Sequence, residues 1–138
     1  MTRKITYRCV AFLFVFFAFG HTTGVLGTKE LPKAASDMRT AMFATHFNFM
    51  GADSTYGGFF EGYGLVVTLF LLFCSFVAWT LGGMHQENAR AARPIAWGLL
   101  VSILCNAILA ERYFFAGPVA LSVLIAIGIL AAETRPAE

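Results

Sequence analysis

The sequence predicts an all-α integral membrane protein. It reads as a four-helix bundle running up-down-up-down, with an extracytoplasmic amphipathic segment between the first two spans. Two observations carry this. Of the 138 residues, 58% are hydrophobic and only 13% are charged, whereas a soluble domain carries about a quarter of its residues charged. The apolar residues also fall into four long runs, and a helix crossing a bilayer needs about 20 such residues. The same composition excludes intrinsic disorder, which requires low hydrophobicity and high charge.

The first span is expected over residues 5–26, led by Arg3, Lys4 and Arg8. A basic start before an apolar run is also the form of a signal peptide. No small-x-small cleavage site follows Phe19, where the chain reads Gly20-His21-Thr22-Thr23-Gly24, so a retained helix is expected. The second span is expected over 57–81, with no charge between Gly64 and Trp79, the third over 94–110 and the fourth over 114–132. Pro94 suits the first turn of a helix, where its missing N–H is not needed. Gly117-Pro118 marks either the start of the fourth span or a kink in it.

Residues 27–56 form the one long connection. Within it Ala34, Met38, Ala41, Met42, Thr45 and Phe49 recur at intervals of three and four, as one face of a helix does. Lys33, Asp37 and Arg39 lie off that stripe. The pattern predicts a short amphipathic helix, about 33–47, along the outer membrane surface; a loop folded over the bundle mouth is the alternative. No internal repeat is evident, so an inverted-repeat transporter is not supported.

Orientation follows from Lys and Arg in the flanks. Arg3, Lys4, Arg8, Arg90, Arg93 and Arg135 fall on one side, against Lys29, Lys33, Arg39 and Arg112 on the other. This bias places both termini in the cytoplasm. The net charge of +2 and the scattered basic residues argue against a nucleic-acid partner, which calls for a basic patch or stripe. Cys9, Cys74 and Cys105 all lie in or beside apolar segments and form no Cys-x-x-Cys pair. They are expected to be buried as small hydrophobes, and a membrane dithiol enzyme is not indicated.

Polar and ionisable side chains inside spans are costly, so their placement is informative. His21 with Thr22-Thr23, Glu61, and Asn106 followed by Glu111 and Arg112 all fall toward the outer ends of their spans, and the inner half is expected to hold no comparable set. At about 100° per residue, Glu61, Gly64, Thr68 and Ser75 share one face of the second helix. Gly98, Ser102, Cys105 and Asn106 share one face of the third. Small and weakly polar stripes pack helices in lipid, so both faces are expected to point inward. Gly20-x-x-x-Gly24 and Gly58-x-x-x-Gly62 each permit close helix approach around an ionisable residue, and a His21–Glu61 contact is expected there. Against this stand plain structural roles: Glu61 at the headgroup boundary, His21 and Asn106 as hydrogen-bonded packing residues, and Arg112 snorkelling. Trp79, Trp97, Tyr56, Tyr63 and Tyr113 sit near span ends, as interfacial belts do. His21 and His46 lack the spacing of a metal site, His21 has no partner for a bis-His haem, and no cofactor is indicated.

The stretch Thr55-Tyr56-Gly57-Gly58-Phe59-Phe60-Glu61-Gly62-Tyr63-Gly64-Leu65, following His46-Phe47-Asn48-Phe49-Met50-Gly51 and combined with Gly20-His21-Thr22-Thr23-Gly24, resembles segments of small bacterial four-helix integral membrane proteins, loosely similar to the DoxX-like group. The resemblance covers most of the chain in layout and these stretches in motif. It implies a bacterial inner-membrane location and no defined activity. Redox or quinone-related roles connected with that group have no motif here to carry them over.

The expected function is therefore that of an accessory protein, or of a binder of a small apolar molecule such as a lipid, isoprenoid or quinone headgroup. An outer-leaflet pocket of His21, Glu61, Tyr63 and Asn106 would receive it, since few polar groups on apolar walls are the usual form of such sites. The expected partners are the bilayer, an apolar small molecule or another membrane protein. The alternatives are a membrane enzyme using His21 and Glu61 as an acid–base pair, and a small oligomeric transporter.

Overall fold

A computed structural model describes residues 2–27 and 31–135. Lys29, one of the charges counted for orientation, lies outside the described residues. The elements are α1 (Arg3–Leu26), α2 (Lys33–Ala44), β1 (His46–Phe49), β2 (Ala52–Thr55), α3 (Tyr56–Glu87), α4 (Ala89–Tyr113) and α5 (Ala116–Glu133). Helices α1, α3, α4 and α5 are each long and apolar enough to cross a membrane. Helix is the form such runs must take in lipid, because it satisfies every backbone N–H and C=O within the segment.

The helix ends differ from the sequence expectation at one place that matters. α3 does not stop at residue 81 but continues through Gly82-Gly83 to Glu87. A Cβ at Gly82 would lie 3.2 Å from the Lys4 carbonyl oxygen, so this glycine serves close packing rather than a turn. Asn88 alone separates α3 from α4, and its side chain accepts a hydrogen bond from the Ala91 N–H at 3.1 Å, a standard N-cap. Pro94 consequently sits in the second turn of α4 instead of the first, where its missing N–H withholds a bond from the Arg90 carbonyl.

The chain divides into two compact units. One is Met1–Ala18 with Phe70–Glu138, the other Phe19–Leu69. The first holds the apolar core: Tyr7, Val10, Phe14 and Phe17 from α1, Leu71, Ala78 and Leu81 from α3, Ala96, Leu100 and Ile103 from α4, and Ile125 and Ile129 from α5. Gly128 lets α1 approach α5, since a Cβ there would lie 2.7 Å from Val10 Cγ2. Ser75 faces inward as expected and donates to the Ala11 carbonyl at 2.9 Å. Two sequence expectations are corrected in this unit. Gly98, Ser102 and Cys105 of α4 face outward; Ser102 donates to the Gly98 carbonyl of its own helix at 2.9 Å and needs no neighbour. Of the three cysteines only Cys74 is buried, while Cys9 and Cys105 lie on the outer surface.

In the second unit, the expected helix over 33–47 ends at Ala44. The chain then forms an antiparallel hairpin with His46 opposite Thr55 and Phe49 opposite Ala52. Met50 (φ 55°) and Gly51 (φ 93°) make its two-residue turn. Positive φ at both positions is the twist that suits a tight hairpin, and the Asn48 side chain accepts from the Gly51 N–H at 2.9 Å. The hairpin was not expected from the sequence. Its signal is a period of two, Phe47 and Phe49 alternating with His46 and Asn48, beneath the helical spacing. The glycine pattern is also redistributed. A Cβ at Gly20, Gly24 or Gly62 would meet nothing within 4 Å, whereas at Gly64 it would lie 2.6 Å from Val25 and at Gly57 2.6 Å from the Phe43 ring.

Gly128→Leu is expected to lower stability in detergent by about 1–3 kcal/mol through overpacking. Gly98→Leu, on open surface, should change it by no more than about 0.5 kcal/mol. Thermal unfolding followed by circular dichroism checks the pair.

Candidate functional site

The buried stripes of three helices end on ionisable side chains in the first unit. On α3 the buried residues Leu71, Cys74, Ala78, Leu81 and His85 follow intervals of three and four. On α5 Ser122, Ala126, Ile129 and Glu133 do the same, and the buried face of α1 begins at Thr6 and Tyr7. The helical period carries each side chain inward, so the N-terminal end of α1 and the C-terminal ends of α3 and α5 bring Tyr7, His85 and Glu133 together.

The geometry is tight. The Tyr7 hydroxyl donates to Glu133 Oε1 at 2.6 Å. His85 Nε2 lies 2.7 Å from the same oxygen, an ion-pair distance without hydrogen-bond alignment, and His85 Nδ1 has no hydrogen-bond partner among the described residues. The Tyr7 and His85 rings stack with centroids 5.5 Å apart. The side chains of His85 and Glu133 are 2% and 3% exposed. Arg93 of α4 brings Nε to 4.0 Å from Glu133 Oε2. Arg3 donates to the Ala132 carbonyl, which the end of α5 leaves without a helical partner, and to the Arg135 carbonyl just past that end.

This cluster overturns the expectation that the α1-start, α3-end and α5-end side of the spans holds no polar set. The span expected over 57–81 stops short of His85, which lies one turn beyond it on the same face of α3. The fourth span was also ended one residue before Glu133. Extending the three-and-four spacing by one turn at each end would have found both.

The sequence-predicted site residues find other partners. His21 Nε2 donates to the Gly64 carbonyl at 3.1 Å. Glu61 accepts from Arg39 at 3.1 Å and so pairs with α2 rather than with His21. Tyr63 is 69% exposed and stacks on Phe59. Asn106, which belongs to the other unit, donates to Ser122 Oγ at 2.9 Å. His46 pairs with Asp53 at 2.9 Å on the exposed hairpin.

The cluster offers His85 Nδ1 as a polar atom without a hydrogen-bond partner among the described residues. The described residues contain no group of three or more His, Cys, Asp or Glu suited to a metal ion. Four membrane-length apolar helices with a buried ionisable cluster fit the class of multi-pass membrane proteins. Comparisons with protein-family models, curated proteins and solved structures found no match for this chain.

Glu133→Ala should destabilise the fold by about 1–3 kcal/mol, because it leaves the buried Tyr7 hydroxyl without its acceptor. Tyr7→Phe should cost about 1 kcal/mol, the worth of one hydrogen bond. A double-mutant cycle between them, read by chemical unfolding in detergent, should show the two losses to be non-additive.

Proposed function

We propose that the chain is a non-enzymatic multi-pass membrane protein, an accessory subunit or a binder of a small apolar molecule with a polar headgroup. Its polar anchor is the Tyr7–His85–Glu133 cluster. The observation that carries this is a buried His85 and Glu133 pair at 2.7 Å whose imidazole Nδ1 has no hydrogen-bond partner among the described residues. A buried polar atom without a partner costs about 1–3 kcal/mol, and a bound polar group would recover it. His21, Glu61 and Asn106 act in this reading as packing residues, since each already has a hydrogen-bond partner.

The topology proposed with it is up-down-up-down with both termini cytoplasmic in a bacterial inner membrane, as in the DoxX-like layout. It is supported by the side chains that meet at Glu133. They come from the start of α1, the end of α3 and the start of α4. Arg3, Arg93 and Arg135, counted for the cytoplasmic side, belong to these same helix ends, where the positive-inside bias would have them.

Native mass spectrometry of the protein released from mild detergent tests the binding. The wild type is expected to retain a small apolar adduct, and Glu133→Gln to lose it, while Glu61→Gln keeps it. An adduct lost from Glu61→Gln and kept by Glu133→Gln would move the site to the residues around His21. A co-purified protein with no small adduct would select the accessory role.

A further inference from the structure

We propose that the β1–β2 hairpin is a lipid-contacting element, seated in the headgroup layer of the bilayer with Phe49 and Met50 inserted among the lipids. It rests on the membrane-spanning reading of α3 and is independent of any ligand at Glu133.

Position comes first. β2 ends at Thr55 and α3 begins at Tyr56, so the hairpin is fixed to a membrane-length helix without a linker. α3 carries no formal charge from Gly62 to Gln86, a run of roughly 37 Å at about 1.5 Å per residue. The hydrocarbon core is about 30 Å thick and the headgroup layers bring the total to about 40–45 Å. Glu61 therefore falls at or just past one boundary. Tyr56, little more than one turn further along, falls about 7 Å beyond it, within the headgroup layer.

The chemistry of the hairpin suits that depth. Its residues alternate by face. Phe47 and Phe49, with Ser54 and Ala52 opposite them, form one face. His46, Asn48, Asp53 and Thr55 form the other, which is closed by the His46–Asp53 pair. The aromatic face is continuous with α3: Phe47 and Phe49 lie 5.8 and 5.3 Å from Phe59, and Phe59 lies 6.1 Å from Tyr63. Aromatic rings of this kind collect at the level of the headgroups.

The turn is the most telling part. Met50 is 93% exposed in a left-handed conformation that costs an L-residue about 1–2 kcal/mol, at a position where Asn, Asp or Gly is preferred. In water the side chain would have nothing to set against that strain, and an apolar phase receives it. Charge plays no part. Over residues 31–55 Lys33 and Arg39 balance Asp37 and Asp53, so neither an anionic headgroup nor a charged protein is selected.

The test uses Met50→Cys carrying a nitrobenzoxadiazole probe, in a background with the surface thiols Cys9 and Cys105 changed to Ala. The protein is placed singly in phosphatidylcholine nanodiscs. Lipids spin-labelled near the top of the acyl chain are expected to quench the probe. Aqueous iodide should quench it at least about twofold less than the same probe at Asn48→Cys on the polar face, and high salt should leave that shielding unchanged. A probe at Phe49→Cys, outside the strained turn, should agree. Equal iodide quenching at positions 48 and 50 would overturn the proposal, as would shielding that appears only in discs holding two copies.

Discussion

Glu133 is a carboxyl with 3% of its side chain exposed, set at the end of an otherwise apolar helix. Burying an ionised group of this size costs several kcal/mol even after relaxation. Other side chains must therefore meet it, and in this chain they come from three other helices: Tyr7 from α1, His85 from α3 and Arg93 from α4. One carboxyl thus ties together the ends of all four membrane-length helices. Arg3 adds a second tie by donating to carbonyls at the C-terminal end of α5, where the helix dipole favours a cation. The core between these ends is apolar and close-packed, with Gly128 against Val10 and Gly82 against the Lys4 backbone, and the polar partners fix the helix ends.

The opposite rule governs the outer surface. Hydroxyls there take carbonyls of their own helix, as Thr80 does from Phe76 and Ser102 from Gly98. A hydroxyl satisfied one turn back carries no unmet demand into lipid. This is why the small, weakly polar face of α4 points outward although its composition suggests an interface. Close approach is instead made by single glycines placed opposite a β-branched or aromatic side chain, Gly128 against Val10, Gly64 against Val25 and Gly57 against Phe43. Spacing of glycines along one helix says where contact is possible; the facing residue on another helix says where it occurs.

Much of the fold is legible in the residues themselves. The four apolar runs are there, as is the helical character of residues 5–26. The inward face of α3 through Ser75 and the helix beginning at Lys33 are legible too. The hairpin is less so, because Phe49 satisfies a helical spacing from Thr45 as well as a strand spacing from Phe47, and only the Met50-Gly51 turn separates the two. The polar cluster was hidden for a different reason. Glycine pairs read as breaks in a soluble chain, but α3 carries Gly82-Gly83 straight through, with Gly82 against the Lys4 backbone, and delivers His85 to Glu133.

By itself the sequence determined the class. Hydrophobicity, charge and periodicity are local sums, and they suffice to specify membrane-length helices. Only the tertiary structure decided which polar residues share a site. Pairing depends on the facing helix and on register: Glu61 meets Arg39 and not His21, and Tyr7 meets a glutamate 126 positions away. A hydrogen bond is a relation between two residues, and no property of either one alone contains it.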